Sequence, residues 1–276
     1  MTDLKTIDPS NTDYQCSDLI KTDAYELYQG DCLNLMHKLP NNSIDMVLCD
    51  LPYGCTRNKW DRKLPFDALW DQYKRVIKSG GVIALFSKQH FTIETAASNL
   101  KQFRYKLVWF KDRGTDFLNA NRKPLSSHED ICIFYDKQPL YNAQRRLGFK
   151  PYSAKGPGAT STNWGTFGLK GKLKTQGDHT RYPLDTVTFK HDKANGHSTA
   201  KPVALMEWLI KTYTNPNMTI LDNCMGGGAV GIAALNTGRR FVGMELNPAF
   251  YDVAVKRIST AYRARQSLLD SSLLLE

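Results

Sequence analysis

Short apolar runs bounded by polar or glycine-rich turns alternate along this chain with stretches in which apolar residues recur every three or four positions. Tyr25 to Tyr28 reads as a short strand ending at Gly30-Asp31, and Leu33, Met36 and Leu39 follow at helical spacing. Ile44-Asp-Met-Val-Leu-Cys49 is a β-branched and apolar run with polar turn residues before it and a proline after it. That pattern predicts a buried strand with Asp50 at its carboxyl end. Phe66, Leu69, Trp70, Tyr73 and Val76–Ile77 form the apolar side of another helix, which Lys78-Ser-Gly-Gly81 stops before a strand over Val82 to Phe86. Strand, helix, strand in that order implies a mostly parallel sheet with helices on its faces.

Further along, Phe91 to Leu100 predicts a helix, and Lys106 to Phe110 and Ile131 to Tyr135 predict strands. The polar stretch Asp112 to Glu129 between them, punctuated by Gly114 and Pro124, reads as a loop on the ligand side. Regular patterning stops over 137–190 and resumes at Lys201-Pro202, where Leu205, Met206, Leu209, Ile210 and Tyr213 make a helical core stripe. A strand over Met218 to Leu221, a turn from Asp222 to Gly228 and a helix from Ala229 to about Asn236 come next. The strand Phe241 to Met244 ends at Glu245, and a last helix from about Pro248 passes into a polar tail over 259–276.

Composition changes this picture in one place. The 276 residues carry 37 Lys and Arg against 27 Asp and Glu, a net charge of +10 that favours a polyanionic partner. Ten of those cations and only two acids lie within 137–190, so +8 of the excess sits in the one irregular stretch, among seven glycines and seven aromatic residues. Aromatic rings interleaved with cations suit a nucleic-acid surface; a solvated basic loop is the alternative. The six cysteines fall singly and without CxxC spacing, which argues against a zinc ribbon or a disulfide framework. No apolar run reaches the length of a membrane span, and Met1-Thr-Asp-Leu-Lys5 lacks an export pattern, so a soluble cytoplasmic protein without a membrane partner is expected.

Two constellations carry chemistry. Asp222-Asn-Cys-Met-Gly-Gly-Gly228 is followed by Glu245 at the end of the next strand, 23 residues after Asp222. Glycines let a strand turn tightly into a helix and bring backbone N–H groups to a ligand, while a carboxylate one strand over can accept both hydroxyls of a ribose. The run is neither GxGxxG nor a phosphate loop; it suits a nucleoside cofactor or, alternatively, a tight structural turn. The second constellation is Asp50-Leu51-Pro52-Tyr53-Gly54. A short carboxylate, a carbonyl ahead of a proline and an exposed ring fit the holding of a planar ring that bears an exocyclic amine; the other reading has Asp50 capping the turn and Tyr53 packing on the surface.

Taken together these motifs resemble the S-adenosylmethionine-dependent DNA amino-methyltransferases that modify adenine N6 or cytosine N4, in the permuted arrangement with the catalytic motif ahead of the glycine motif. The family's D-P-P-Y is matched by Asp50-Leu51-Pro52-Tyr53, its glycine motif by Asp222 to Val230, and its glycine–aspartate by Gly30-Asp31. Its H-x-x-x-K-P is matched by His197 to Pro202, and its Y-x-x-A-x-x-R-I ending by Tyr251 to Ile258. The matches cover about 25–136 and 195–260. Three departures stand out: Leu51 replaces a proline, Gly227 and Ala229-Val230 replace hydroxyl residues, and Met225 stands where phenylalanine is common.

The resemblance implies an α/β, Rossmann-like methyltransferase fold with a mostly parallel seven-stranded sheet and helices on both faces. It implies one methyltransferase domain over 1–276, with 137–195 as an inserted basic target-recognition region. Asp50, Leu51, Pro52 and Tyr53 become the catalytic set. Asp31, Thr199, Lys201, Asp222, Met225, Gly226, Gly227, Gly228 and Glu245 become the S-adenosylmethionine site, with Thr199 and Lys201 candidates to replace the missing hydroxyl contacts. Arg145, Arg146, Lys170, Lys172, Lys174 and Arg181 become contacts to double-stranded DNA. The expected reaction is methylation of adenine N6 after base flipping, because Asp at position 50 tilts the choice from cytosine N4 to adenine; a silent DNA-binding subunit is the contrasting class. No metal is required, and pairing into homodimers is a family expectation.

Overall fold

The computed structural model describes residues 19–55, 58, 61–150, 179–192 and 201–273, with side chains to 267. These fall into two compact units, one formed by the residues up to Asn142 together with those from Asp185 on, the other by Ala143–Leu184.

In the larger unit the strands and helices follow in the order β1 (Leu19–Lys21), β2 (Tyr25–Gln29), α1 (Cys32–Met36), β3 (Ile44–Cys49), α2 (Phe66–Val76), β4 (Ile77–Ser87), α3 (His90–Ala97), β5 (Phe103–Thr115), β6 (Ser126–Phe134), β7 (Thr186–Thr188), α4 (Val203–Tyr213), β8 (Thr219–Asp222), α5 (Ala229–Asn236), β9 (Arg240–Glu245) and α6 (Pro248–Leu273). One sheet holds all the strands in the spatial order β1-β2-β9-β8-β3-β4-β6-β5-β7. Neighbours from β2 through β4 run parallel, whereas β6 lies antiparallel to both β4 and β5.

The alternation of side chains along each strand decides what covers the sheet. In β3, Met46 and Leu48 join the core formed with α4, α5 and α6, while Val47 and Cys49 join the one formed with α1, α2 and α3. Both faces are therefore sealed, which is why Met46 to Cys49 read as a continuous apolar run. The architecture is the Rossmann-like, mostly parallel α/β sheet expected, but it has nine strands where seven were expected. The additional two, β1 and β7, are three-residue edge strands with an exposed–intermediate–exposed pattern, too short to leave a periodic signal.

Three further expectations are corrected. Lys78-Ser-Gly-Gly81 does stop α2 but lies inside β4, in a bulge where the register against β3 slips between Ile44–Ile77 and Met46–Val82. A Cβ on Gly81 would stand 2.7 Å from the Ile77 side chain and 2.9 Å from the Asp45 carbonyl, so the bulge needs glycine there. The polar stretch Asp112 to Glu129 is a loop only over 116–125: β5 runs on to Thr115 and β6 starts at Ser126, and these two residues pair beyond a shift in register after Phe110. The tail after residue 259 continues as α6 to Leu273, held by Tyr262, whose hydroxyl donates to Asp23 Oδ1 at 2.6 Å and whose ring meets Tyr25 edge-on at 5.6 Å.

Candidate active site

The sheet changes direction of winding between β3 and β8. From β3 the chain builds outward through β4; from β8 it builds the other way through β9. Ligands of open α/β sheets sit at such switch points, beyond the carboxyl ends of the strands. Asp50 follows β3 at this edge, Asp222 ends β8, Glu245 ends β9, and Gly30-Asp31 follow β2. Because β6 is antiparallel, its amino-terminal half, including Glu129, lies at the same edge, as does Lys111 near the end of β5.

The turn after β3 is fixed from several sides. Leu51 is buried, and Asp61 accepts hydrogen bonds from the Gly54 and Cys55 N–H groups at 2.8 and 3.0 Å. Tyr53 packs its ring on Phe91 with centroids 4.9 Å apart and donates its hydroxyl to Asp50 Oδ1 at 2.7 Å. Burial, then the neighbouring Asp50 charge, pushes the Tyr53 hydroxyl well above its ordinary range, so it is a donor at neutral pH. The other Asp50 oxygen, Oδ2, receives Lys201 Nζ at 2.5 Å. Burial acts to lower the Lys201 ammonium, but the charges of Asp50 and Glu129 outweigh it and hold the lysine above its usual value. Lys201 is therefore a cation, unable to act as a base.

The turn after β8 is shaped by positive backbone φ at Gly226 (48°) and Gly228 (78°). A Cβ on Gly226 would meet nothing within 4 Å, so the backbone there borders open space. Gly228 lies against α6, where a Cβ would come within 3.0 Å of Ile258. Glu245 clamps the turn: Oε2 accepts from Gly226 N–H and Oε1 from Asn247 N–H, both at 2.8 Å. Arg257 of α6 adds a hydrogen bond to the Gly227 carbonyl. Burial raises the Glu245 carboxyl, with the Asn247 and Gly226 N–H groups pulling it partly back. An ionised carboxylate has about four acceptor directions, so two backbone donors leave capacity for ligand hydroxyls.

Asp222 is buried beneath this turn and accepts from Cys224 N–H at 3.1 Å; burial pushes its carboxyl up from 3.8 to about 7. A raised carboxyl binds its proton more tightly folded than unfolded, so its contribution to stability is complete below about pH 4 and is lost as the pH rises through about 7. Asp222→Asn keeps an acceptor and removes the titration. Thermal melts should therefore show the variant gaining on wild type across that window, by up to roughly 4 kcal/mol. Parallel curves would mean that Asp222 does not titrate there.

Of the other candidates, Asp31 is the N-cap of α1, accepting from Leu33 and Asn34 N–H at 2.9 and 3.2 Å, and Gly30 N–H donates to the Glu245 carbonyl. Met225 is buried, its N–H donating to the Met244 carbonyl. Lys201, placed by resemblance with the cofactor residues, stands against Asp50 and Glu129. Thr199, Lys170, Lys172 and Lys174 lie outside the described residues. In the smaller unit Arg146 and Arg181 exchange backbone hydrogen bonds at 2.9 Å, and Arg145 stacks 4.2 Å over Tyr182. Arg181 donates to the Lys150 and Thr180 carbonyls and so ties that unit together, while Arg145 and Arg146 are exposed. Sequence reasoning missed Lys111, Glu129, Asn247 and Arg257 as site-forming residues. Arg257 alone carried a signal, as the arginine of the Y-x-x-A-x-x-R-I ending. Among the described residues no group of three His, Cys, Asp or Glu could hold a metal ion, and no helix is long and apolar enough to cross a membrane.

Known proteins resemble this chain in sequence and in fold. The type II methyltransferase M.BglII of Bacillus subtilis is 27% identical over 260 residues, covering 85% of this chain and 69% of that protein. The DNA adenine methyltransferase YhdJ of Escherichia coli (strain K12) is 24% identical over 257 residues, covering 87% and 84%. The crystal structure of an M1.HpyAVI–SAM complex superposes with a TM-score of 0.57 at 21% identity, covering 84% of this chain and 99% of that one, a likeness of fold. The N6/N4 methyltransferase family model, described as DNA methylase, matches residues 44–256, from the first residue of β3 into α6. With the catalytic turn, the glycine turn and the strand that ends at Glu245 all inside that match, the chain belongs to the N6/N4 DNA methylase family.

Proposed function

We propose that this DNA methylase transfers the methyl group of S-adenosylmethionine to N6 of adenine in double-stranded DNA, at a specific sequence and with the target base turned out of the helix. The observation that carries the reading is the placement of the Asp50 carboxylate and the Glu245-clamped glycine turn on neighbouring strands at one switch point. One relative, the DNA adenine methyltransferase YhdJ of Escherichia coli, acts on adenine and favours that choice of base.

When bound, S-adenosylmethionine supplies an electrophilic methyl carbon on a sulfonium that leaves as a neutral thioether. The residues of the glycine turn fit its nucleoside: Glu245 retains acceptor capacity for ribose hydroxyls, and the backbone at Gly226 borders open space. Asp50 and the Leu51 carbonyl accept the two N–H groups of the target amine. That draws the nitrogen toward a pyramidal shape, so its lone pair leaves the ring and faces the methyl carbon. Asp50 also stabilises the positive charge that grows on nitrogen, which later loses a proton to water. Tyr53 offers its ring to the extruded base while its hydroxyl holds Asp50 in orientation. Turning the base out is required because an amine inside the stack cannot meet the methyl group in line.

The basic region 137–195 is assigned to target recognition. If Arg145 and Arg146 each contact a phosphate, replacing both by Ala should lower the slope of log affinity against log salt by about 2. An unchanged slope in a folded variant would remove them from the interface. Single-molecule sequencing of DNA from cells expressing the wild type and Asp50→Ala tests the function as a whole. N6-methyladenine in one fixed context, present with wild type and absent with the variant, is the expected result.

A further inference from the structure

Behind Asp50 lies a run of buried charge to which methyl transfer, as described, gives no task. Lys111 of β5 and Glu129 of β6 are ion-paired across the hairpin with side chains only 5% and 9% exposed. Burying such a pair is costly and seldom the cheapest route to stability, which directs attention to what it touches. The remaining Glu129 oxygen, Oε2, is buried and has no neighbour of hydrogen-bonding kind among the described residues except Lys201 Nζ, 3.2 Å away. Lys201 is closer to Asp50 Oδ2, at 2.5 Å, while Tyr53 occupies Oδ1 at 2.7 Å. The one ammonium thus stands between two carboxylates, nearer to the one that the target amine needs.

An ammonium in contact with Oδ2 withdraws the charge with which Asp50 would polarise the amine. It also opposes the positive charge that the amine acquires as it is methylated. Resting on the methyl-transfer reading above, we propose that Glu129 is a positioning residue which accepts Lys201 as the target amine engages Asp50, so that the lysine exchanges between the two carboxylates during each turnover. Lys111 keeps Glu129 ionised and in place for that exchange. The groups facing this cluster are Asp50 and Tyr53 from the turn after β3, Lys111 from β5, and Lys88 beyond β4, which acts on Lys111 electrostatically. Asp130, the next residue of β6, is engaged elsewhere with Lys106 and Thr92.

The test is single-turnover methyl transfer to duplex DNA at saturating S-adenosylmethionine, from about pH 6.5 to 9.5, with wild type, Glu129→Gln and Glu129→Gln/Lys111→Met. With Glu129 neutral, Lys201 stays on Asp50. The rate at pH 7 should fall roughly ten- to a hundredfold, the scale of losing the outer partner of a directly engaged group, with cofactor affinity unchanged. Lys201 then has Asp50 alone to offset burial, so its ammonium gives up the proton and releases Asp50 more readily than in wild type, and the deficit should shrink as the pH rises. A merely structural role gives a ratio to wild type that does not move with pH. The double variant balances the charges and guards against a folding defect; it should melt like wild type yet transfer as slowly as the single variant at pH 7. Full recovery of rate in the double variant would overturn the proposal, because Glu129 would then serve only to neutralise Lys111. So would a Glu129→Gln rate equal to that of active wild type, whereas a wild type that transfers no methyl group to DNA would overturn the parent reading along with this one.

Discussion

Asp50→Ala will cut single-turnover methyl transfer roughly a hundred- to a thousandfold while S-adenosylmethionine and duplex DNA still bind. That scale is the cost of removing one preorganised group from the point where charge develops. An aromatic amine is a poor nucleophile because its lone pair is shared with the ring, so the acceptor that localises the pair is worth more than the contacts that merely hold the base. The same turn separates two functions of Tyr53. Tyr53→Phe keeps the stacking face but removes the 2.7 Å hydrogen bond to Asp50 Oδ1, a bond to a charged group worth roughly 1.5–3 kcal/mol, so its rate should fall by about tenfold or more. Tyr53→Ala additionally loses the stacking surface, worth roughly 1–3 kcal/mol per base, and should be slower again. A Phe variant with the wild-type rate would show that Asp50 needs no help from the hydroxyl.

Glu245→Ala will raise the dissociation constant of S-adenosylmethionine by roughly ten- to a hundredfold, the range for losing a charged hydrogen-bond acceptor. Two losses combine, because the carboxylate would meet the ribose and also secures Gly226 and Asn247 N–H. Glu245→Gln keeps one acceptor oxygen and should fall between the two. Calorimetry with the free cofactor reads this directly, and DNA affinity measured beside it should hold within a few-fold of wild type. Unchanged cofactor affinity would take Glu245 out of the site.

What could be read from the chain alone was whatever local patterning determines. The strand over Ile44–Cys49 is sealed on both faces and therefore apolar from Met46 to Cys49, and the glycine turn is marked by residues chosen for backbone shape. Asp50, Asp222 and Glu245 all stand at strand ends, so locating the strands located them too. Long-range partnership was not legible. Lys201 lies 151 residues from Asp50, and the resemblance alone put it with the cofactor residues. Glu129 ends what reads as a polar loop and Lys111 stands just before it, and only the register of the β5–β6 hairpin brings them together. The Tyr53 hydroxyl could not be assigned while Tyr53 was known only as a ring near a carboxylate. Edge strands of three residues and the polar outer face of α6 carried too little periodicity to be seen.

Methyl transfer to adenine N6 is assigned to the Asp50 turn. Its most direct test is incubation of unmethylated plasmid DNA of mixed sequence with methyl-labelled S-adenosylmethionine and either wild type or Asp50→Ala, followed by digestion and mass spectrometry of the nucleosides. Label is expected in N6-methyladenine from wild type, with at most a trace from the variant. Label found only in N4-methylcytosine, or equal labelling by both proteins, would contradict that assignment.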